Sequence, residues 1–448
     1  MGDGENFSSG DSLRVTLPIT NYQLPITHSI TCQLSTVNCQ PKELSTQRAV
    51  NCQLSTVNPK SCQLYMIPVI STIPVVQLAS GDRLSLQIYQ FQGAVPGKKA
   101  YIQSNLHGAE ISGNAVIHQL IEFLMSQDSN QLIGEILLVP VCNPVGVSQR
   151  SHHFSAGRYN HYDGEDWNRI FWDFEKEGED IEGFAKSHIN LDADTLKFNY
   201  RKEIALSFAK QLAKINAPSC RPYSEIYRYK LQSLCLDADY VLDLHSSTNQ
   251  AIDYVYCFSS REESAKAFLL DRGILMDEYD GDAFDEAFLK PWLALEKSLT
   301  ELGSAILFEG CANAFDVEAW TLELGSGMQM NPESVAKGLR GIKNYLASKG
   351  MLKISGFPIP ETANKMILTP KHLVKKYYAP AGGMIQNRVQ LGSIVKKGDL
   401  LYQILSFHKN GELPSVVEVG AESDVFVFDI STNQSVNQGE YVLSVMAD

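Results

Sequence analysis

KKAYIQSNLHGAEISGN (98–114) and DADYVLDLHSS (237–247) are the two stretches whose reading decides the fold. Each is a short apolar run that leads into a histidine, His107 in the first and His245 in the second. Runs of this length between polar residues read as strands buried on both faces. Between them, ISGNAVIHQLIEFLMS (111–126) carries apolar residues at helical spacing. EILLVPVCNP (135–144) is another buried strand, closed by Asn143-Pro144. Further out, MIPVI (66–70) and LSLQIYQF (84–91) read as strands around the turn SGD (80–82). A helix is expected over 201–215, strands at DYVYCF (253–258), AILFEG (305–310) and AWTLELGS (319–326), and a closing helix over 332–348. Strands alternating with helices indicate an α/β fold with a parallel core.

Two flanking regions differ from this body. Residues 1–65 are polar and repetitive, with CQLSTVN at 32–38 and 52–58 and LPIT at 17–20 and 24–27. Such a low-complexity segment is expected to be disordered. A catalytic domain is expected over 66–355 and a strand-rich C-terminal β domain over 360–448. In the latter, SIVKKGDLLYQIL (393–405) echoes QSVNQGEYVLSVM (434–446), aligning Gly398 with Gly439. The echo suggests a small two-fold β-barrel. The block resembles a lipoyl-type barrel half by half but lacks the M-K-M tip that carries a prosthetic group there, so neither lipoylation nor biotinylation is expected.

Composition narrows the function. Among 448 residues, 51 acidic side chains outnumber 38 basic ones, for a net charge of −13. That balance argues against nucleic acid and against an anionic membrane surface as partners. There is no apolar run of 18 residues, and the N-terminus has no secretory pattern. The nine cysteines form no C-x-x-C pair, so neither a disulfide framework nor a thiolate metal site is expected. A reducing cytoplasm fits that usage.

The chemistry-bearing residues cluster at strand ends. His107 and Glu110 have the spacing that lets an imidazole and a carboxylate meet at one ion. Alone, the pair is a weak signal and reads sooner as a surface histidine beside an acidic helix start. His245 adds a third donor at the carboxyl end of a central strand, where ligands bind in open α/β sheets. Two histidines and one glutamate with an open fourth position form the ligand set of hydrolytic zinc. Glu323, in TLELGSG (321–327), is the candidate general base, with Glu309 and Glu318 as competitors. Arg158, Asn168 and Arg169, in GRYNHYDGEDWNRIF (157–171), could clamp a carboxylate, or the arginines could pair with Asp163, Glu165 and Asp166. His118 reads as a packing residue, and His152, His153 and His161 as pocket rim at most. EYDGDAFDEAF (278–288) reads as a solvated loop.

These pieces occur in a recognisable order. NLHGAEISGN resembles the H-G-x-E-x-x-G metal motif of the succinylglutamate desuccinylase and aspartoacylase family, within the zinc carboxypeptidase superfamily. VLDLHSS resembles its D-L-H motif, RYNHYDGEDWNRIF its arginine stretch, and TLELGSG its T-x-E-x-G motif. The resemblance spans about residues 70–350. It implies a mixed sheet with helices on both faces, followed by a small barrel-like β domain. It implies one zinc per chain on His107, Glu110 and His245, substrate carboxylate contacts from Arg158, Asn168 and Arg169, and Glu323 as base. Here the arginine stretch is longer, and Trp167 stands where the family has leucine. Tyr377 and Tyr378 are candidates for reaching back to the site.

The expected activity is hydrolysis of an amide in an N-acyl amino acid or similar small carboxylate substrate. A metallocarboxypeptidase acting on peptides would need the same groups. A non-catalytic carboxylate-binding protein is the reading from another class, and it would have no use for a base opposite an open metal position. Self-association is left open.

Overall fold

The computed structural model describes residues 66–217, 219, 221–277, 282–304, 313–360 and 365–447. The repeats within 1–65, the AILFEG strand and Glu309 lie outside these residues. The elements begin with β1 (Val69–Gln77), β2 (Arg83–Gln92), β3 (Val95–Ser104), α1 (Ser112–Met125), β4 (Ile133–Val139) and α2 (Pro144–Ser148). They continue with α3 (Ile181–His188), α4 (Ala193–Ile215), α5 (Tyr223–Gln232), β5 (Tyr240–Ser247), β6 (Gln250–Ala251) and β7 (Asp253–Phe258). Then come α6 (Glu262–Lys266), β8 (Arg272–Met276), α7 (Phe284–Glu301), β9 (Glu318–Ser326), α8 (Pro332–Ser348) and β10 (Ile367–Pro370).

Nine strands form one mixed sheet in the order β1-β2-β4-β3-β5-β9-β7-β8-β10. Its centre, β4-β3-β5-β9, is parallel, while β7 runs antiparallel to β9. Both faces are covered. On one face, Ile102, Leu242 and Leu322 pack with Val116 and Leu120 of α1 and Ile342 and Leu346 of α8. On the other, Tyr101 and Val241 join Phe208 of α4, Tyr227 of α5 and Trp292 of α7. Double-sided burial is why β5 reads as one nearly continuous apolar run rather than an alternating one. The expected mixed sheet flanked by helices is therefore present.

Two readings are corrected. Residues 284–288 are not a solvated loop but the first turn and a half of α7, with Phe284 and Asp285 buried. His118 does not pack: it is exposed on α1, 3.8 Å from Glu122. The helix expected over 201–215 starts earlier, where Asp192 caps α4 by accepting from the Thr195 amide.

The last strands are β11 (Val374–Tyr378), β12 (Gly383–Gln386), β13 (Ile394–Val395), β14 (Leu400–Ser406), β15 (Ser415–Gly420), β16 (Val425–Ile430), β17 (Ser435–Val436) and β18 (Tyr441–Ala447). They form two small antiparallel sheets around a core that includes Leu401, Tyr402, Val427, Val442 and Leu443. The echoed segments place Gly398 (φ +87°) and Gly439 (φ +83°) at equivalent left-handed turns, a backbone state that favours glycine. One of the small sheets extends to β6, which follows β5 and pairs with β16.

Candidate active site

The carboxyl ends of β3, β5 and β9 carry the site. Strand alternation puts Val241, Asp243 and His245 of β5 on the face toward α7, and Thr321 and Glu323 of β9 on the same face. Register then aligns them: Asp243 lies beside Thr321, and His245 beside Glu323. Across the next ladder, Tyr256 lies beside Thr321 and Tyr254 beside Glu323. The result is two adjoining rows of polar side chains across β5, β9 and β7.

The loop after β3 brings His107 and Glu110 to these rows. Asn105 holds a left-handed conformation (φ 71°), and its amide donates to the carbonyls of His107, Gly108 and Glu110. Asn143 donates to the Leu106 carbonyl while capping α2. Gly108 lies against the backbone of Gly146 and Gly157, and a Cβ on it would meet the Gly146 oxygen at 2.2 Å. The glycine of the H-G-x-E motif is thus demanded by backbone contact. Gly108→Ala is expected to cost about 2–3 kcal/mol, the scale of overpacking a tight site. A melting temperature equal to that of the parent would contradict this reading of the loop.

His107, Glu110 and His245 are all buried, and one donor atom from each lies within 4.8 Å of the others. His107 Nδ1 is 3.1 Å from Glu110 Oε1, and His245 Nδ1 is 2.7 Å from Glu110 Oε2. Tetrahedral zinc keeps neighbouring donors roughly 3.3 Å apart, so this set fits a zinc ion after small adjustments. Each outer ring nitrogen meets a carboxylate: His107 Nε2 is 3.0 Å from Asp166, and His245 Nε2 is 2.9 Å from Asp243. Those carboxylates fix both rings with Nδ1 facing inward, the support expected of metal-binding histidines. Asp243 lies two residues before His245 on the same strand face, so strand periodicity could have found its role. Asp166 was read only as an ion-pair partner, because its approach to His107 spans 59 positions.

The electrostatics favour a cation here. Burial by itself would raise the pKa of Glu110, but His107 and His245 override it and hold the carboxylate well below its usual range. Burial would likewise lower the pKa of His245, yet Asp243 and Glu110 push it well above that of an ordinary histidine. Glu323 shows the opposite behaviour to Glu110. Burial, then the charge of Glu110, push it up to about 8, against the pull of His245 and Arg158. Its Oε2 is buried and has no hydrogen-bond partner among the described residues. Glu318, the competitor on the same strand, faces the other side of the sheet, where Tyr345 and Lys349 engage it.

The arginine stretch divides. Arg158 reaches the centre: its Nε donates to Asp166 at 3.0 Å and its NH1 lies 3.7 Å from Glu110. Asn168 is buried, and its side-chain oxygen accepts from the Phe284 amide at 2.8 Å, tying the stretch to α7. Arg169 is exposed and donates to the neighbouring Asn168 carbonyl. His152, His153 and His161 are exposed. Tyr377 and Tyr378 do not reach back: Tyr377 accepts from the Glu422 amide and Tyr378 lies against Tyr441, both within the C-terminal sheets. The tyrosines beside Glu323 are Tyr254 and Tyr256 instead.

The fold has known counterparts. A succinylglutamate desuccinylase/aspartoacylase family protein from Shewanella amazonensis is 31% identical, with 84% of this chain and 98% of that one covered and a TM-score of 0.73. The chain belongs to the succinylglutamate desuccinylase/aspartoacylase family. The family's catalytic-domain profile, described as "Succinylglutamate desuccinylase/Aspartoacylase catalytic domain", matches residues 96–199. A second relative, from Shewanella frigidimarina, is 28% identical over 86% of this chain and 98% of its own, with a TM-score of 0.75. An ectoine utilization protein of Ruegeria pomeroyi, 17% identical over 88% of this chain and 98% of its own, shares the fold at a TM-score of 0.57. No curated protein matches the sequence. Within the family fold, the described residues include no helix long and apolar enough to cross a membrane.

Proposed function

We propose that this family member is a zinc-dependent deacylase, hydrolysing the amide of an N-acyl amino acid or a similar small carboxylate substrate. The observation that carries the reading is the buried His107–Glu110–His245 set with Glu323 in register beside it, one carboxylate oxygen unspent. Zinc held by those three residues would supply a Lewis acid that polarises the scissile carbonyl and acidifies water.

The chain's own groups do the rest. Asp166 and Asp243 keep His107 and His245 oriented and in one tautomer. Glu323 Oε2 takes a proton from the attacking water and passes it to the departing nitrogen. Arg158 faces the acidic centre from the rim and offers positive charge to a substrate oxygen. Asn168 and Arg169 extend the polar stretch outward for the substrate carboxylate. Residues 66–355 would carry catalysis, with 360–448 as the supporting β block.

The test is to quantify zinc per chain and follow amine release from N-acetyl and N-succinyl amino acids, with and without a chelator. About one zinc and chelator-sensitive release are expected. Zinc-free protein with unchanged release, or zinc-loaded protein with none on any acyl amino acid, would overturn the proposal.

A further inference from the structure

The three residues after the Ser246 bend of β5 alternate between two neighbours. Thr248 Oγ1 donates to Glu110 Oε1 at 3.2 Å. On either side of it, Ser247 Oγ donates to Asp429 Oδ2, and Asn249 Nδ2 lies 3.5 Å from Asp429 Oδ1. Asp429 is a buried carboxylate on β16, 184 positions from His245 in sequence and part of the C-terminal sheets. Tyr441 donates to its other side. The backbones are joined as well: Asp429 pairs with Ala251 across the β16–β6 ladder, and the Ile252 amide donates to the Phe428 carbonyl at 3.1 Å.

The same strap reaches the base. The Ser247 carbonyl accepts from the Gly327 amide, in the turn that follows Glu323. A Cβ on Gly327 would meet that carbonyl oxygen at 2.6 Å, so only glycine lets the two segments approach. Phe428 packs edge-on against Tyr254 with ring centroids 5.3 Å apart, and Tyr254 lies beside Glu323 in the sheet.

We propose that Asp429 is a positioning residue for the metal centre: by gripping Ser247 and Asn249 it sets Thr248 against Glu110 and fixes the ligand geometry from the C-terminal sheets. The inference rests on the reading of His107, Glu110 and His245 as metal ligands. A carboxylate suits the task because it accepts from several donors at once, where a neutral side chain of the same size accepts fewer. Fixing the partners of a ligand carboxylate preserves affinity, and losing such outer contacts typically costs about ten- to a hundredfold.

The experiment measures zinc dissociation constants by chelator competition on the full-length chain. Asp429→Asn and Thr248→Val are each expected to weaken zinc binding about tenfold or more. Thr248→Ser, which keeps the hydroxyl, is expected to bind zinc like the parent. Because both act through one strap, the double variant should lose no more than the weaker single variant. Losses that multiply in the double variant, or an Asp429→Asn protein with parental zinc affinity, would overturn the proposal. If Asp429→Asn does not accumulate as folded protein, Ser247→Ala leaves the β16–β6 ladder in place and answers the same question. A tenfold loss supports the strap and an unchanged affinity sinks it. Zinc affinity is read independently of turnover, so a chain that binds zinc normally but hydrolyses no acyl amino acid would refute the deacylase reading and leave this result standing.

Discussion

His245→Ala is expected to lower zinc affinity roughly a thousandfold and to abolish measurable hydrolysis. Structural zinc sites bind with about 10–16 kcal/mol, so one of a few donors carries several kcal/mol. The substitution also strips the partner from Asp243, which is fully buried and bonded to His245 Nε2. A buried carboxylate left without its cation costs about 3–5 kcal/mol, so the variant should also melt at a markedly lower temperature. Metal content, turnover and melting are read on one preparation. Full zinc occupancy with parental turnover would remove His245 from the ligand set.

Glu323→Gln separates chemistry from binding. No ligand is touched, so zinc content should stay near that of the parent. The rate constant for turnover should fall about a hundredfold to ten-thousandfold, the range for loss of a general acid–base, with KM changed only a few-fold. A second consequence concerns pH. With its folded pKa raised to about 8 from 4.5, Glu323 binds more protons in the folded than in the unfolded state between those values. Stability contributed at low pH is therefore lost as pH rises through that window. Zinc-stripped Glu323→Gln protein should be more stable than zinc-stripped parent at pH 8, with the gap closing toward pH 4. An equal or lower melting temperature at pH 8 would show that the folded protein does not raise the pKa of Glu323. Parental turnover would transfer the base role elsewhere.

Much of the site was legible because its groups sit at strand ends and helix starts that apolar patterning marks. His107 follows β3, His245 lies near the end of β5 and Glu323 near the end of β9, each preceded by an apolar run that reads as a buried strand. The beginning of α7 was misread because its first turn is acidic and aromatic. Burial of Asp285 depends on Thr321, which donates to it at 2.7 Å from a strand 36 positions away. Tyr377 and Tyr378 were nominated from their place in the chain, whereas ladder pairing with β18 holds both within the C-terminal sheets.

The sequence by itself marked the parallel core, through apolar runs of strand length, and the order of four motifs carried the family resemblance that nominated His107, Glu110 and His245 as donors. Tertiary structure alone decided that Asp166 supports the His107 ring, whereas Asp243 shares a strand face with His245. Glu318 and Glu323 share β9, yet an odd separation sends them to opposite faces, one to α8 and one to the site. Asp166 reaches His107 across 59 positions, and Asp429 reaches Ser247, beside the site, across 182. Contacts of that range are set by sheet register and by the packing of one sheet's edge on another. Neither leaves a period in the chain to be read.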